Sequence, residues 1–539
     1  MEKWALFSVS NKEGLPDLAR RLVGLEWRLL ASGGTAKVLR EAGIPVKDVA
    51  ELVGGGAILG HRVVTLSREL HAGLLADPNN PDHVKEMEKL GLPIIGMVVC
   101  DFYPLQDAIA TAGATIDSVV EQTDIGGPCM VRSGAKGGRI VVCRFEDREW
   151  VLRELEETGD ISPESREKLR ARAEFVVARY VLDSAIYHGQ GQFDGMMGEL
   201  VLPAKYGENA SQSPAGLFST GVASDPFALD QFHVQVGMLP SYNNLCDLDR
   251  QLQTLSHMTK GFRVNFWDRK PLAAVGVKHG NACGAALGFD TPEETVIAVA
   301  RGDRQAIFGG WLVFNFPITG DLAESLAREA TFDPTSKQLF DGVVAPSFDQ
   351  GAVEVLQRRT DKCRLVVHPA LCGDVRLDTA KRYRYVRGGF LVQPNYTFVL
   401  DFNDPRMRVF GLRDKRLELD LLLAWAVGAT SNSNTVTIVR GKMLIGNGVA
   451  QHSRVGAAGV ALGRARDAGH GDKLPGAVAY SDSFFPFPDA VERLIDAGIT
   501  AIFSTSGAGR DREIQDLCVR NNVLLYQLPD SVARGFCGH

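Results

Sequence analysis

Short apolar runs alternate with amphipathic stretches along the first 150 residues of the chain. The apolar runs are typical of buried strands and lie at Ala5–Val9, Arg28–Ala31, Ile94–Cys100 and Arg139–Cys143. The first amphipathic stretches have helical spacing and lie at Leu15–Leu22 and Lys37–Ala42. This alternation predicts an α/β fold in which a doubly wound parallel sheet carries helices on both faces. Ligands of such sheets bind beyond the carboxyl ends of the strands, so the loops there are the first candidates for a site.

A long helix and a glycine-rich stretch separate this part from the rest of the chain. Ser162 and Pro163 are typical of the N-cap and first residue of a helix, which we expect to run to about Tyr187. The glycine-rich stretch 188–198 is typical of a linker. We therefore predict two domains, 1–197 and 198–539. The second is also predicted to be α/β, with apolar runs at Leu272–Val277, Val343–Ala345, Thr435–Val439 and Ala501–Phe503.

Composition and charge exclude several classes of protein. The net charge of −6 argues against a nucleic-acid or anionic-membrane binder, because these need a broad basic surface. The nine cysteines are odd in number and no C-x-x-C occurs, so neither structural zinc nor a disulfide framework is expected. The sequence has no signal-peptide pattern at its start and no uncharged apolar run approaching ~18 residues, so we expect a cytoplasmic protein.

Two loops after predicted strands are candidates for binding a phosphate. The first is Ser-Val-Ser-Asn-Lys at 8–12 and the second is Ser-Gly-Gly-Thr at 32–35. Small residues at a strand-to-helix turn leave backbone N–H groups and the positive end of a helix free to face an anion. The alternative is an ordinary turn with capping residues, but two such loops in one small sheet favour a phosphate cradle. Its candidate residues are Ser10, Lys12, Ser32, Gly33, Gly34 and Thr35.

A second motif in the first domain carries acid–base chemistry. Asp124 precedes Ile-Gly-Gly-Pro, and Lys136 follows twelve residues later. A carboxylate and an ammonium can move the protons that an amine nucleophile and a departing oxygen require. The alternative is a surface turn with a salt bridge. Tyr103 can hydrogen-bond a carbonyl, although a lone tyrosine is more often a core residue with its hydroxyl at the rim.

In the second domain, Lys278 and His279 stand at the end of a predicted strand and lead into a glycine-flanked turn. Histidine exchanges a proton near neutral pH, and an adjacent cation keeps it neutral and able to act as a base. Acyl transfer needs such a base and a donor for the oxyanion, which Lys278 or the Asn434 amide can supply. The alternative is a solvated lysine beside a capping histidine.

Other clusters predict a large polar site in the same domain. Lys205 and Tyr206 open a Lys-Tyr-Gly-Glu-Asn run, and Asn244 lies in an amide-rich turn. The aromatic residues of 308–310 and 484–489 suit a flat ligand beside a carboxylate, although core packing is the alternative for the phenylalanine run. The candidates in these two segments are Phe308, Gly309, Phe484, Phe487 and Asp489.

These motifs, in this order, resemble the family of bifunctional purine biosynthesis enzymes, which joins an AICAR (aminoimidazole carboxamide ribonucleotide) transformylase to an IMP cyclohydrolase. The resemblance covers essentially the whole chain and adds Arg62 with Thr65, Asp341 with Ala-Pro-Ser, Arg-Gly-Gly at 387–389, and Ser453 with Arg454. It implies a methylglyoxal-synthase-like first domain and a second domain of two cytidine-deaminase-like lobes without zinc. The implied reactions are formyl transfer from 10-formyltetrahydrofolate to AICAR, giving formyl-AICAR, and then dehydrative ring closure to IMP.

The resemblance also implies residue roles and an assembly. Lys278, His279 and Asn434 would be catalytic in formyl transfer, and Asp124, Lys136 and Tyr103 in ring closure. Ribonucleotide would contact Arg62, Thr65, Lys205, Tyr206, Asn244, Asp341, Arg454 and Arg534. Reduced folate would contact Phe308, Gly309, Phe484, Phe487 and Asp489. Family members are homodimers, and no metal is needed for the chemistry.

The chain departs from the family pattern mainly in the first domain. Val64 stands where the family has an active-site lysine, and Asp101 stands where it has an asparagine. In the second domain Ala306 and Asn432 replace a serine and a lysine, while Lys278 and His279 are retained. We therefore expect both activities, and two alternatives remain. One is a transformylase whose first domain binds nucleotide but closes the ring poorly, and the other is a non-catalytic nucleotide-binding paralogue.

Overall fold

The computed structural model describes residues 2–59, 63–221, 225–266, 270–333, 335–359, 362–373 and 376–538. Arg62, one of the predicted nucleotide contacts, lies outside these residues. The chain divides into two compact units, Met1–Met197 and Gly198–His539. Over the ranges given, none of the helices has both the length and the apolar composition of a membrane span.

Unit one is an α/β sandwich. Its strands are β1 (Lys3–Ser8), β2 (Trp27–Ala31), β3 (Lys47–Asp48), β4 (Ile95–Cys100) and β5 (Ile140–Val142). Its helices are α1 (Leu15–Gly24), α2 (Gly33–Glu41), α3 (Val49–Val53), α4 (Arg68–Leu75), α5 (Pro81–Leu90), α6 (Leu105–Ala110), α7 (Ile116–Glu121), α8 (Gly126–Lys136), α9 (Asp147–Thr158) and α10 (Pro163–Gly189).

The five-stranded sheet of unit one has the order β3-β2-β1-β4-β5, and every pair in it is parallel. One core packs α1, α2 and α9 against one face, and a second core packs α4, α8 and α10 against the other. The prediction of a doubly wound parallel sheet is therefore confirmed. The predicted start of α10 is also confirmed, because the Ser162 hydroxyl accepts a hydrogen bond from the Ser165 N–H and Pro163 is its first residue.

Unit two contains one large sheet and two hairpins. Its strands are β6 (Glu199–Ala204), β7 (Ala215–Ser219), β8 (His233–Val236), β9 (Ala273–Lys278), β10 (Asn281–Leu287), β11 (Trp311–Phe314), β12 (Gly342–Ala345), β13 (Arg364–Val367), β14 (Arg382–Val386), β15 (Gly389–Gln393), β16 (Arg408–Phe410), β17 (Val436–Arg440), β18 (Met443–Gly448), β19 (Val478–Ser481), β20 (Ala501–Ser506) and β21 (Leu524–Pro529). Its helices are α11 (Tyr242–Phe266), α12 (Pro292–Arg301), α13 (Gly320–Glu329), α14 (Gln350–Leu356), α15 (Lys415–Gly428), α16 (Arg454–Asp467), α17 (Asp489–Asp496), α18 (Asp511–Arg520) and α19 (Asp530–Ala533).

The large sheet consists of two lobes with the same topology. Lobe one has the spatial order β10-β9-β11-β12-β13-β8, and lobe two has the order β18-β17-β19-β20-β21-β16. Corresponding strand pairs have the same direction, and β10 joins β18 at the centre of the twelve-stranded sheet. The predicted pair of related lobes is confirmed by this order.

The central strands β9 and β18 are buried along almost their whole length because helices cover both faces of the sheet. Helices α11 and α15 pack on one face together with Ala533 of α19, and α12, α13, α14, α16, α17 and α18 pack on the opposite face. In α15 this places Trp425 and its leucine neighbours fully out of solvent. The buried sheet holds the strand ends in place, and the loops that carry the candidate residues follow these ends.

Candidate active sites

The two predicted phosphate loops of unit one line the same open cavity, together with Val64, Thr65, Tyr103 and Asp124. Ser10 and Lys12 follow β1, and Ser32 is the N-cap residue of α2 but makes no side-chain capping hydrogen bond. Gly33 and Gly34 form the first turn of α2 and leave space where a Cβ would stand. The start of this helix is therefore open to the cavity, as an anion site requires.

Asp101 occupies part of the cradle formed by the first loop. Its carboxylate accepts hydrogen bonds from the Ser10 N–H and, at 3.3 Å, from the Asn11 N–H. Arg148 lies 3.4 Å from the same carboxylate and offsets its charge. The Lys12 ammonium donates to the Val9 carbonyl and to the Thr35 hydroxyl, 3.0 Å away. Burial lowers the pKa of Lys12, and the charge of Asp101 opposes this shift.

Asp124 is held at the wall of the same cavity by close backbone contacts. Its carboxylate accepts a hydrogen bond from the Gly127 N–H at 2.8 Å, and its own N–H donates to the Tyr180 hydroxyl at 2.7 Å. A Cβ on Gly127 would stand 2.7 Å from this carboxylate, and one on Gly126 would stand 2.4 Å from the Thr65 hydroxyl, so a larger residue at either position would displace these groups. Burial raises the pKa of Asp124, although backbone hydrogen bonds oppose the shift.

The predicted acid–base pair of Asp124 and Lys136 is not present in this structure. Asp124 precedes α8, whereas Lys136 is the last residue of that helix and is exposed. At 1.5 Å per residue the two ends of α8 are about 15 Å apart, which is too far for proton exchange between these side chains. Tyr103 lines the cavity and is 54% exposed, so the alternative interpretation of this tyrosine as a core residue is wrong.

In unit two, Lys278 ends β9 and His279 begins the two-residue turn to β10. The Lys278 ammonium donates to the Phe308 carbonyl at 2.6 Å and lies 6.0 Å from the centre of the Phe308 ring. His279 has a φ of 52° and an exposed side chain. Both residues line a cavity that also contains Asn281 and Asn447. The two predicted catalytic residues therefore share one cleft near the centre of the sheet.

Phe308 and Gly309 form the rim next to Lys278. The Phe308 ring is 53% exposed, and Gly309 has a φ of 67°. A Cβ on Gly309 would stand 3.9 Å from the Asp341 carboxylate, which accepts a hydrogen bond from Arg358 at 3.2 Å. Backbone hydrogen bonds between the two segments fix the position of Gly309 beside Asp341.

A second group of predicted residues gathers at the strand ends of lobe two. Arg454 is buried, forms an ion pair with Asp482 and donates to the Phe484 carbonyl at 3.1 Å. The Arg454 and Arg534 guanidinium groups lie 5.7 and 5.0 Å from the centre of the Phe536 ring. Arg534 is further paired with Asp530, so each of these cations already has a carboxylate partner.

Asn434 is linked to the Lys278–His279 turn through backbone and amide groups. The Asn281 amide donates to the His279 carbonyl at 3.1 Å, and its oxygen accepts from the Asn432 N–H at 3.0 Å. The Asn434 side-chain amide donates to the Gln451 carbonyl at 2.8 Å. One of its hydrogens is therefore used inside the loop rather than pointed at a substrate.

The remaining predicted residues lie at the edges of these clusters. Lys205 is exposed and lies 6.0 Å from the centre of the Tyr206 ring. The Asn244 oxygen accepts from the Ser241 N–H at 3.0 Å, so this side chain caps the start of α11. Phe487 is 55% exposed near Arg510, and Asp489 is exposed at the start of α17. The alternative for the phenylalanine run was core packing. It is correct for Phe485, which is buried, but not for Phe487.

Three residues that contact these clusters were not predicted. Asp482 is fully buried and accepts a hydrogen bond from the Thr435 N–H at 3.0 Å, besides its pair with Arg454. Phe536 supplies the ring between the two arginines, and Asp247 accepts a hydrogen bond from the Gly280 N–H at 2.7 Å. Of these, only Asp482 had a sequence signal, since it is a carboxylate directly after a buried strand.

Each unit matches the model of a known protein family. The family model of the MGS-like domain matches residues 14–129, and that of the AICARFT/IMPCHase bienzyme matches residues 138–464. The chain belongs to the AICARFT/IMPCHase bienzyme family. The first of these matches agrees with the parallel sheet of unit one.

Relatives in this family match along nearly the whole chain. The bifunctional purine biosynthesis protein PurH of Bacillus cytotoxicus is 34% identical over 95% of this chain and 96% of its own length. The protein of the same name from Synechocystis sp. is 33% identical with the same coverage of both chains. A solved chain described as the crystal structure of ForH is 32% identical, covers 35% of this chain and 97% of its own, and gives a TM-score of 0.32.

Proposed function

We propose that this chain catalyses the last two steps of purine nucleotide synthesis, with formyl transfer in unit two and ring closure in unit one. The observation that carries the proposal is the match to relatives named bifunctional purine biosynthesis protein over 95% of the chain. The substrates are AICAR, 10-formyltetrahydrofolate and formyl-AICAR. Neither alternative is favoured, because the family match extends over both units.

Formyl transfer takes place at the Lys278–His279 turn. The 5-amino group of AICAR attacks the formyl carbon of the folate, and His279 accepts the proton that this amine loses. The tetrahedral oxyanion collapses, the bond from carbon to the folate nitrogen breaks, and His279 returns its proton to that nitrogen to give tetrahydrofolate. The ammonium of Lys278 stabilises the oxyanion, since it is fixed at the edge of the same cavity.

The two substrates approach this turn from different clusters. The folate ring packs against the exposed faces of Phe308 and Phe487, and Asp489 accepts hydrogen bonds from its polar edge. The ribonucleotide binds to Arg454, Arg534 and Tyr206 with Lys205, Asn244 and Asp341 around it. Paired carboxylates keep both arginines in place before the substrate arrives, which supports a preorganised site.

Ring closure takes place in the cavity of unit one. The loops that contain Ser10 and Gly33 bind the phosphate, and the carboxamide nitrogen of formyl-AICAR attacks its own formyl carbon. Asp124 removes a proton from this nitrogen and Tyr103 hydrogen-bonds the formyl oxygen. The formamide nitrogen then loses its own proton as it forms a double bond to the formyl carbon, and the oxygen leaves as water with these two protons. Because the reaction is intramolecular, much of its acceleration comes from holding the two groups together. The half-buried carboxylate of Asp124, which the Gly127 N–H holds in place, supports this assignment.

Replacing Val64 by lysine is expected to accelerate ring closure by about 10²-fold, because one donor in a preorganised site contributes about 10²- to 10³-fold. Val64 lines the cavity beside Thr65, so a lysine there reaches the bound nucleotide. The rate is measured as IMP formed from supplied formyl-AICAR. Val63→Lys is the matched control, since Val63 is a neighbour outside the cavity lining. Equal rates in Val64→Lys and the wild type would show that the lysine position is not used by this chain.

We also propose that the chain forms a homodimer, as the resemblance implies. Apolar side chains protrude from the two hairpins of unit two, where Leu200, Phe218, Tyr385 and Leu391 are 50%, 57%, 82% and 60% exposed. Solvent-exposed apolar groups of this size on hairpins are typical of surfaces that another chain covers.

Two assays on the purified full-length protein test the proposed function. The first supplies AICAR and 10-formyltetrahydrofolate and follows the release of tetrahydrofolate. The second supplies formyl-AICAR alone and follows the absorbance of IMP, so that ring closure is measured without formyl transfer. We expect activity in both. Failure of the first assay at saturating substrates contradicts the assignment of unit two, and a second rate equal to that of buffer contradicts the assignment of unit one.

A further inference from the structure

In each lobe, the hairpin nearest the centre of the twelve-stranded sheet has its turn fastened by a buried aspartate from the helix that precedes the hairpin. In lobe two, Asp420 accepts hydrogen bonds from the N–H groups of Gly441 and Lys442 at 2.7 and 2.6 Å. In lobe one, Asp247 accepts a hydrogen bond from the Gly280 N–H at 2.7 Å, and the His279 N–H also interacts with its carboxylate.

The two aspartates are equivalent in position. Each is the sixth residue of its helix, α11 or α15, and they are 8% and 7% exposed. The turns are also equivalent, because Lys278 pairs with Asn281 as Arg440 pairs with Met443. Both turns have two successive residues with positive φ, at 52° and 70° in lobe one and at 59° and 66° in lobe two. The same device therefore occurs twice in one chain.

The turns differ at their first position, and this difference concerns the catalytic residue. Lobe two has Gly441 there, which adopts a positive φ without steric cost. Lobe one has His279, a residue with a Cβ that rarely adopts this conformation. Each turn thus has one residue with a Cβ at positive φ, Lys442 in lobe two and His279 in lobe one, and a buried aspartate contacts the N–H groups of each turn.

We propose that Asp247 is a positioning residue for formyl transfer, which holds the backbone of His279 so that the imidazole faces the cleft. This inference rests on the proposed role of His279. Asn281 adds a contact at the peptide group between His279 and Gly280, because its amide donates to the His279 carbonyl. Between them the two side chains restrain the histidine at both of its peptide groups. Asp420 has the same structural task in a turn that carries no proposed catalytic side chain.

The test compares Asp247→Asn with its internal counterpart Asp420→Asn in the full-length protein. Each substitution removes a carboxylate that accepts hydrogen bonds from the N–H groups of its own hairpin turn. Both should therefore lower the Tm of unit two by a similar amount. For Asp247→Asn we expect kcat for formyl transfer to fall by about 10- to 100-fold with little change in the KM for AICAR, because a small misplacement of a catalytic group has effects of this order. For Asp420→Asn we expect both constants to stay within about twofold of the wild type. If either asparagine variant does not fold, the pair Asp247→Glu and Asp420→Glu, which keeps the charge but displaces it by one methylene, is compared in the same way.

Equal kcat values for the two members of a pair would overturn the proposal, and so would a loss confined to KM. His279→Ala is measured alongside them to separate this inference from the proposed function. If His279→Ala abolishes formyl transfer while Asp247→Asn behaves like Asp420→Asn, the positioning role is wrong and the proposed function stands. If His279→Ala leaves formyl transfer unchanged, the proposed role of His279 is itself wrong.

Discussion

Replacing His279 by alanine is expected to lower kcat for formyl transfer by about 10³-fold, equivalent to about 4 kcal/mol of transition-state stabilisation. The attacking amine then loses its proposed base, and the carboxylate that also lines this cavity, Asp303, is paired with Arg464. Binding of AICAR should change little, because the proposed nucleotide contacts lie at Arg454 and Arg534. Ring closure should not change, since it takes place in unit one. Both rates are measured with the two assays described for the proposed function.

Lys442→Ala is the matched control for this variant. Lys442 also lies in a two-residue turn with positive φ, in the equivalent hairpin of lobe two, so alanine there has a similar effect on the backbone. We expect its formyl transfer rate to stay within about twofold of the wild type. A His279→Ala protein as active as Lys442→Ala would contradict the role of His279 as the base.

Replacing Asp124 by asparagine is expected to lower the rate of ring closure by about 10²- to 10³-fold, while formyl transfer is retained. Asparagine keeps an oxygen that can accept the Gly127 N–H, so the loop keeps its shape and only the ionisable group is lost. The wild-type reaction should also depend on pH. Since burial raises the pKa of Asp124, its carboxylate is protonated at a higher pH than an ordinary aspartate. Activity should therefore fall, as the pH is lowered, at values above the ordinary aspartate pKa of 3.8.

Asp117→Asn serves as the control for charge in the same unit, because Asp117 is an exposed acidic residue in the first turn of α7. It should close the ring at the wild-type rate and with the wild-type pH profile. An Asp124→Asn protein that matches Asp117→Asn at every pH would contradict the assignment of Asp124, and Tyr103 would be the next candidate.

The elements that were predicted correctly are those whose sequence pattern reflects one condition, either burial along the whole element or local hydrogen bonding at its end. The run at 94–100 is buried on both faces of the sheet, and the structure places β4 at Ile95–Cys100. Ser162 and Pro163 determine the start of α10 through local hydrogen bonding and a fixed φ, so no distant contact is needed. The strand-end loops of unit one were also found, because the topology of a parallel sheet brings them to one edge.

The parts that could not be predicted depend on contacts between distant segments or on distances along a helix. Asp124 and Lys136 have complementary chemistry, but a helix of known rise places them at opposite ends. Asp247 is more than thirty residues from the turn that it fastens, and nothing in the surrounding sequence marks it. The same holds for Phe536, which reaches Arg454 only because the chain returns to lobe two after β21. The lobe duplication was implied only by the family resemblance, since no short-period repeat is visible.

One measurement most directly tests the central claim that a single chain performs both steps. The wild-type protein is incubated with AICAR and 10-formyltetrahydrofolate, and the nucleotide products are separated and quantified over time. We expect tetrahydrofolate and IMP to form in equal amounts at the end of the reaction, with formyl-AICAR present only transiently. Accumulation of formyl-AICAR equal to the tetrahydrofolate released, with IMP no higher than in a reaction quenched and left in buffer, would contradict the claim.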